Sequence, residues 1–347
     1  MRIKSRGWML LLFSWILTVI AFPAVADETT EQKIDYEVGF YYTVKPGDTL
    51  WDLSQQFSDS PWQWPDLWRE NKQLPNPHWI YPGERIRLFR KNDQHRTPAS
   101  PITPSVTVQT DRPVEMAPPQ VDFFFPDIDQ VGFIRKPAVV PQGTVFKSLR
   151  NKKLISKGDV VYIRYTDAST AATFSPGTRL TVYRTLAPTD DRRSVDTIGT
   201  QHLLIGLVEV TRTEEQYAIA EVMRATKPIL LEDKVMPYEP KSPNFTVVDS
   251  TPDIDGTLIV GENHAKLLST HYVSFIDKGS QDGIVPGQIY HAYKQENVPL
   301  SPGGPDIELE PVYTGALFVL HTEPTNATVV ITHNIQNITA GDKFHTP

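Results

Sequence analysis

The cysteine, histidine and serine content of the chain excludes several kinds of catalytic site. Its 347 residues include no cysteine, so a cysteine nucleophile and thiolate metal ligands are both excluded. The nine histidines are scattered, and none occurs in a His-x-His or His-Glu-x-x-His pattern of the kind that binds catalytic zinc. No Gly-x-Ser-x-Gly motif is present to hold a serine nucleophile. The sequence does not exclude a pair of carboxylates for glycoside hydrolysis, because the two members need not be close in sequence.

One acidic segment, Asp277 to Gly283, has a composition that suits a calcium loop. Its glycines do not fall where an EF-hand loop needs its sharp turn, and the matching residues 167–173 contain a single carboxylate. We therefore predict a β-turn at this segment. The sequence predicts no metal site and no cofactor.

The first 26 residues have the pattern of a signal peptide. Three basic residues precede an apolar run over residues 8–21, and the small residues that follow would allow cleavage after Ala26. Cleavage removes three cations and takes the formal net charge from −7 to −10, which argues against nucleic acid or an anionic membrane surface as a partner. No later stretch is apolar over about 18 residues, so we expect no membrane span after signal cleavage. The alternative is an uncleaved anchor, for which the run is short. We predict a protein of the bacterial periplasm.

Composition and an internal repeat divide the chain after the signal peptide into five zones. They are an N-terminal extension (residues 27–40), an aromatic-rich unit (41–90), a proline-rich linker (91–120), a first β-domain (121–240) and a second β-domain (241–347). The linker has almost no large apolar side chains, so it cannot bury enough surface to offset the entropy of ordering. Short β-branched runs separated by Gly, Pro and Asp turns are typical of all-β structure.

The two β-domains have related sequences. The segment 175–186, SPGTRLTVYRTL, matches 285–296, VPGQIYHAYKQE, and Pro176-Gly177 and Pro286-Gly287 stand 110 residues apart. Further matches in register, among them Asp233 with Asp342, follow after one deletion in a polar loop. This pattern indicates a tandem duplication of one unit with five or six strands. We predict small closed or half-closed barrels, because closure removes exposed strand edges.

The unit at residues 41–90 begins with the sequence YTVKPGDTLWDLS. Tyr41 to Lys45 alternates as a strand does, Pro46-Gly47 forms a turn, and Asp48 or Thr49 can cap a following helix. Apolar residues at helical spacing predict one helix from Leu50 and a second over residues 64–71. Residues 84–88 alternate as a closing strand. The predicted order is strand, helix, helix and strand.

This unit resembles the LysM family, whose modules bind peptidoglycan and chitin. The matching residues are the opening YTVKPGDTLWDLS, the central Leu67 and Asn71, and the closing IYPGERIRL. Between the helices the sequence SDSPWQWPDLW is longer than in the minimal module and is similar to a proteobacterial, secreted variant rich in tryptophan. The resemblance implies a small α+β module of βααβ order. Together with the strand pattern and the internal repeat, it predicts a multidomain protein in which this module is followed by an all-β region of two tandem duplicated barrel-like domains.

The resemblance also implies a shallow groove between two loops that takes glycans containing N-acetylglucosamine. Carried over by position, its first wall is Gly47, Asp48, Thr49 and Leu50, and its second wall is Pro77, His78, Trp79, Ile80 and Tyr81. Purely structural roles compete with these assignments. Leu50 would serve as core and Asp48 as a helix cap, and Trp62, Trp64 and Trp68 would pack the insertion. Trp79 and Tyr81 are expected to expose a stacking surface.

Three functions are compatible with these patterns. The first is non-catalytic binding of peptidoglycan, or another polymer of N-acetylglucosamine, with the β-domains docking an unknown protein partner. The second is an accessory scaffold of an envelope or flagellar complex that does not bind glycan. The third is a cell-wall hydrolase of a kind that the sequence patterns do not identify. We expect the first, because duplicated small barrels bind or space more often than they catalyse.

Overall fold

The computed structural model describes residues 37–58, 60–88, 120–186, 199–301 and 304–347. The predicted signal peptide, most of the N-terminal extension and residues 91–119 of the predicted linker lie outside these ranges. Within them, no helix combines the length and the apolar character needed to cross a bilayer.

The N-terminal module, residues 37–88, has the predicted order of elements. These are β1 (Gly39–Thr43), α1 (Leu50–Ser58), a 3-10 turn (Pro61–Gln63), α2 (Trp64–Glu70) and β2 (Arg85–Arg87). The apolar spacing of α1 buries Leu50 and Leu53 in the module's core. Asn71 is fully buried and joins the end of α2 to β2: its side-chain amide donates to the carbonyls of Leu67 and Arg87, and its oxygen accepts from the Arg87 amide.

The rest of the described chain consists of strands and short turns. The strands are β3 (Val121–Phe124), β4 (Phe133–Arg135), β5 (Gly143–Ser148), β6 (Val160–Tyr165), β7 (Arg179–Leu186), β8 (Thr200–Thr213), β9 (Tyr217–Ala225), β10 (Lys234–Pro237), β11 (Asn244–Thr246), β12 (Asp255–Gly261), β13 (Leu267–Leu268), β14 (Val273–Ile276), β15 (Ile289–Lys294), β16 (Asn297–Pro299), β17 (Asp306–Glu308), β18 (Val312–Thr322), β19 (Ala327–Asn334), β20 (Ile338–Thr339) and β21 (Lys343–His345).

The sheet of the N-terminal module extends into the β-region. Its strand order is β11-β3-β1-β2, with β3 antiparallel to β1 and β11 antiparallel to β3. Residues 121–124, which the sequence pattern predicts to begin the first β-domain, therefore belong to the module's sheet. Strand pairing with β3 and β11, which follow the predicted linker over residues 91–120, therefore joins the module to the β-region.

Two rings of six strands form the largest part of the β-region. In the first ring the neighbours are β5-β6-β9-β8-β7-β10, and β10 returns to β5. Strand β4 adds to this ring at β8. The second ring is a closed barrel of order β12-β14-β19-β18-β15-β21. Counted along the chain, the strands of the two rings have the same neighbours.

Matching ion pairs occupy the same position in both rings. In the first ring Arg184 makes two hydrogen bonds of 2.7 and 2.8 Å to the Asp233 carboxylate. In the second, Lys294 Nζ lies 3.9 Å from Asp342 Oδ2. Each aspartate also accepts a hydrogen bond from the backbone amide three residues before it, so each closes a turn as well as an ion pair.

The segment from Asp277 to Gly283 forms the predicted turn. Asp282 caps it by accepting a hydrogen bond of 2.9 Å from the Gly279 amide, and Asp277 accepts one of 2.7 Å from the Thr257 amide. In the described ranges, no group of three or more histidine, cysteine or acidic side chains is placed to hold a metal ion.

Strand β18 separates two cores by alternation of its side chains. Leu317 and Val319 point into the second barrel, whereas Ala316, Phe318 and Leu320 point outward. The outward residues join the core of the N-terminal module, together with β3. The module is thus packed on the outer face of the second barrel, and the first ring has its own interior core.

His202 on β8 lies at the junction between the first ring and β4. Its side chain is fully buried, and its ring stacks on Phe133 with centroids 4.8 Å apart. The Val139 amide donates a hydrogen bond of 3.0 Å to its Nε2. Burial disfavours the charged imidazolium and lowers the pKa of His202 to about 4, helped by the nearby cations Arg135 and Lys234.

Stability should therefore fall in mild acid through His202. The unfolded chain binds a proton near the ordinary pKa of 6.5, while the folded chain resists protonation until about 4, so stability is lost as pH falls between these values. We expect a loss of about 2 kcal/mol in unfolding free energy between pH 7 and pH 5 from this residue. Urea unfolding at the two pH values measures the loss, and His202→Gln should reduce it by that amount. Equal losses in the two proteins would contradict the assignment.

Candidate functional site

The first loop of the N-terminal module is a turn closed by Asp48. Gly47 adopts a φ of +96°, a conformation that side-chain-bearing residues rarely adopt. The Asp48 carboxylate accepts hydrogen bonds of 2.7 Å from the Lys45 amide and 2.8 Å from the Tyr42 hydroxyl. Burial, and then this bond to Asp48, raise the pKa of Tyr42 to about 12. Asp48 therefore holds the turn to β1.

Helix α1 is capped by Thr49. Its hydroxyl oxygen accepts a hydrogen bond of 3.1 Å from the Asp52 amide and donates one of 2.6 Å to the Asp52 carboxylate. The structural role predicted for Asp48, that of a helix cap, is thus corrected to that of a turn closure. Both residue types can cap a helix, and the side-chain direction of Asp48, back toward Lys45, decides between them.

The second loop, residues 75–84, is held by its own turns and by the first loop. Asn76 Oδ1 accepts from the His78 amide at 2.9 Å, and Glu84 Oε2 accepts from the Tyr81 amide at 2.8 Å. Val44 joins the loops, because its amide donates to the Glu84 carbonyl and its carbonyl accepts from the Gly83 amide. The two loops consequently stand side by side.

A groove of about 220 Å³ lies between the two loops. Its lining residues are Asp48, Thr49, Leu50, Trp51, Trp64, Pro77, His78 and Ile80. Six of the nine residues predicted for the site are among them. Gly47, Trp79 and Tyr81 are not; Trp79 and Tyr81 are 65% and 60% exposed to solvent outside the groove. Leu50 is buried, as the structural alternative predicted, and forms part of the floor.

Sequence reasoning missed Trp51 and misjudged Trp62. Trp51 follows Leu50 in α1, and one step along a helix turns the side chain by about 100° away from the core face, which could have indicated its exposure. Trp64 packs against the module's core, as expected, and also lines the groove, with its ring 6.1 Å from that of His78. Trp62, expected to pack as well, is 75% exposed. Trp68 does pack, and its indole donates to the Leu74 carbonyl at 3.0 Å.

The chemistry of the groove suits recognition of a neutral polar ligand. Its walls offer the rings of Trp51 and Trp64 and the side chain of Ile80, with the polar groups of Asp48, Thr49 and His78 at the sides. A mostly apolar surface with a few polar groups is typical of a small-molecule site. Asp48 is the one carboxylate among the described lining residues, so the groove itself lacks the carboxylate pair that glycoside hydrolysis uses.

Comparison with known sequences identifies the domain that contains this groove. Residues 42–89 match the LysM domain family, and LysM domains are in general modules that bind peptidoglycan or chitin. A stretch of 57 residues is 39% identical to YqbP, an uncharacterized protein of Bacillus subtilis (strain 168). That match covers 14% of this chain and 26% of YqbP, so it spans about a quarter of the relative's length. The predicted LysM resemblance is confirmed for residues 42–89.

Proposed function

We propose that the LysM domain binds the N-acetylglucosamine-containing glycan strands of peptidoglycan in the bacterial periplasm, without cleaving them. The observation that carries the proposal is the groove between the two loops, which unites apolar surface with the polar side chains of Asp48, Thr49 and His78. A single shallow groove should bind with a dissociation constant of roughly micromolar to millimolar. Export with cleavage after Ala26, and a domain of the proteobacterial, secreted type with its tryptophan-rich insertion, belong to the same proposal.

Co-sedimentation with purified sacculi tests this function. We expect the chain of residues 27–347 to pellet with sacculi and to be released by an excess of soluble N-acetylglucosamine tetramer. Binding of the tetramer should also change tryptophan emission, because all five tryptophans of these residues lie between Trp51 and Trp79. If the chain still pellets with sacculi in the presence of excess tetramer, then a surface outside the groove binds the wall. A cleared band on a murein zymogram would contradict the proposal that the protein binds glycan strands without cleaving them.

A scaffold without glycan binding is the second candidate function. Two observations favour it. The module's sheet continues into β3 and β11, and the module's core continues onto the outer face of the second barrel. These contacts would suit a LysM domain that serves as a packing unit in an envelope or flagellar complex. Failure both to pellet with sacculi and to respond to the tetramer would favour this candidate.

The β-region completes the proposal as two duplicated barrels that dock a protein partner. The shared strand order and the matching pairs Arg184–Asp233 and Lys294–Asp342 support duplication. The hairpin β16–β17 supports docking, because its two strands pair only with each other among the described strands. Residues 295–311 carry four acidic side chains and no basic one, and Leu300 is 73% exposed. A partner with basic groups around an apolar patch would fit this hairpin.

The acidic hairpin gives this part of the proposal its own test. We expect a partner cross-linked to the wild-type chain in envelope extracts to be lost when Glu296, Glu308 and Glu310 are all replaced by Lys. Retention of the same partner by the variant would exclude the hairpin as the docking surface.

A further inference from the structure

An exposed pair of tryptophans lies directly beside the groove. Trp62, on the 3-10 turn, is 75% exposed, and Trp51, on α1, is 40% exposed. Their ring centroids are 4.8 Å apart with the planes at 76°, an edge-to-face contact. Trp51 lines the groove and also touches Trp62, so the aromatic surface continues from the groove to Trp62.

The backbone holds Trp62 in place. Pro61 restricts the backbone before it, the Gln63 amide donates to the Ser60 carbonyl at 3.2 Å, and the Trp64 amide donates to the Pro61 carbonyl. Helix α2 begins at Trp64, which lines the groove. The turn that carries Trp62 therefore leads directly into a helix that forms part of the groove.

We propose that the Trp51–Trp62 pair is a second sugar platform, which extends the groove so that the domain recognises a chain of N-acetylhexosamines rather than one or two sugars. This inference rests on the proposed glycan-binding function. The apolar face of a pyranose ring packs on an exposed indole, and a tryptophan has only two side-chain torsions to fix on binding. A glycan strand leaving the groove past Trp51 meets the Trp62 ring next.

Isothermal titration with N-acetylglucosamine dimer, tetramer and hexamer tests the platform on residues 27–347. In the wild type, affinity should rise with chain length. Trp62→Ala should weaken hexamer binding about tenfold while dimer binding changes less than twofold, because loss of one stacked ring is worth about a factor of ten. Tyr272→Ala is the matched control: it removes a 51% exposed aromatic ring from the second barrel and should change neither affinity.

Each of the other possible titration results would contradict a different statement of the proposal. Equal weakening of dimer and hexamer by Trp62→Ala would mean that Trp62 only shapes the groove. An unchanged hexamer affinity would remove the platform while leaving glycan binding in the groove intact, and would turn attention to a protein ligand for the tryptophan pair. A wild-type chain that binds none of the oligomers would overturn the glycan-binding function itself, and the platform with it. Equal unfolding midpoints of the wild type and Trp62→Ala verify that the variant is folded.

Discussion

Replacing Phe318 by Ala is expected to lower the free energy of unfolding by about 3–5 kcal/mol and to uncouple the LysM domain from the second barrel. Phe318 is fully buried, and its ring centroid lies 4.1 Å from that of Phe123, 5.7 Å from Phe245 and 5.9 Å from Phe40. These three rings come from β3, β11 and β1. One side chain of the barrel therefore occupies the centre of the interface with the extended sheet.

The substitution should destabilise the interface between the LysM domain and the second barrel, and not the interior of the barrel. Phe318 points outward from β18, while its neighbours Leu317 and Val319 fill the barrel. Truncation to Ala leaves a cavity among the phenylalanines, and these well-packed rings cannot fully collapse into it. The LysM domain would then unfold at a lower denaturant concentration than the barrel does.

Two probes separate the transitions. Tryptophan emission of residues 27–347 reports on the LysM domain, because no tryptophan lies beyond Trp79, whereas far-ultraviolet circular dichroism is dominated by the β-region. We expect the two urea transitions to coincide in the wild type and to separate in Phe318→Ala.

Phe344→Ala is the matched control. It removes an equally buried ring from inside the second barrel, where Phe344 lies 5.6 Å from Tyr290. The barrel and the docked LysM domain should then shift together. Coinciding transitions in Phe318→Ala would contradict a role at the interface.

Local chemistry determines the parts of this fold that were predictable. Pro46-Gly47 requires a turn, Thr49 can cap a helix, and the spacing of Leu50 and Leu53 requires a buried helical face. Both loops of the groove follow from such signals, which explains why six of its lining residues were foreseen. The exposure of Trp62 was not foreseen, because residue type predicts burial for a tryptophan and only tertiary packing leaves it in water.

Pairings between distant segments were the part that the sequence did not reveal. Strand β3 has four residues, and the sequence of Val121–Phe124 does not indicate that its partner is β1, about 80 positions earlier. Strand propensity reflects packing against neighbours that a single sequence does not name. The same segment continues through Gly132, whose carbonyl accepts from Thr328 of the second barrel, to β4 on the first ring. Residues 121–135 thus connect all three parts, although the sequence pattern assigned them to the first β-domain alone.

Arg135 lies at the end of this connecting segment, and its replacement is expected to cause the second large loss in the free energy of unfolding. Its guanidinium makes three hydrogen bonds of 2.7 to 3.1 Å to the carboxylate of Glu323, which follows β18 and is only 7% exposed. His321 also contacts this carboxylate at 2.9 Å. Burial alone would raise the pKa of Glu323, but the bonds from His321 and Arg135 outweigh it and lower the pKa to about 2.

Arg135→Met should cost about 2–3 kcal/mol at pH 7, because it leaves the buried carboxylate without its guanidinium partner; the 44% exposure of the arginine side chain keeps the loss below that of a fully buried pair. Arg179→Met is the matched control: its exposed pair with Glu209 should contribute less than about 1 kcal/mol. The double variant Arg135→Met/Glu323→Leu should recover most of the loss, since an apolar pair leaves no buried charge. A double variant as unstable as Arg135→Met would show that the loss arises from packing of the arginine stem.

Acid should remove the difference in unfolding free energy between Arg135→Met and the wild type. A carboxyl group whose folded pKa is depressed stabilises the protein above its unfolded pKa, here 4.5, and that stabilisation is lost as pH falls toward about 2. In Arg135→Met the carboxyl loses the cation that depressed its pKa and takes up a proton at higher pH, which relieves the buried charge. Urea unfolding at pH 7, 5, 4 and 3 should therefore show a gap between the two proteins that narrows below about pH 4.5. A gap of constant size would mean that Glu323 is not the charge that Arg135 holds, and that β4 is fastened to the second barrel by contacts other than this ion pair.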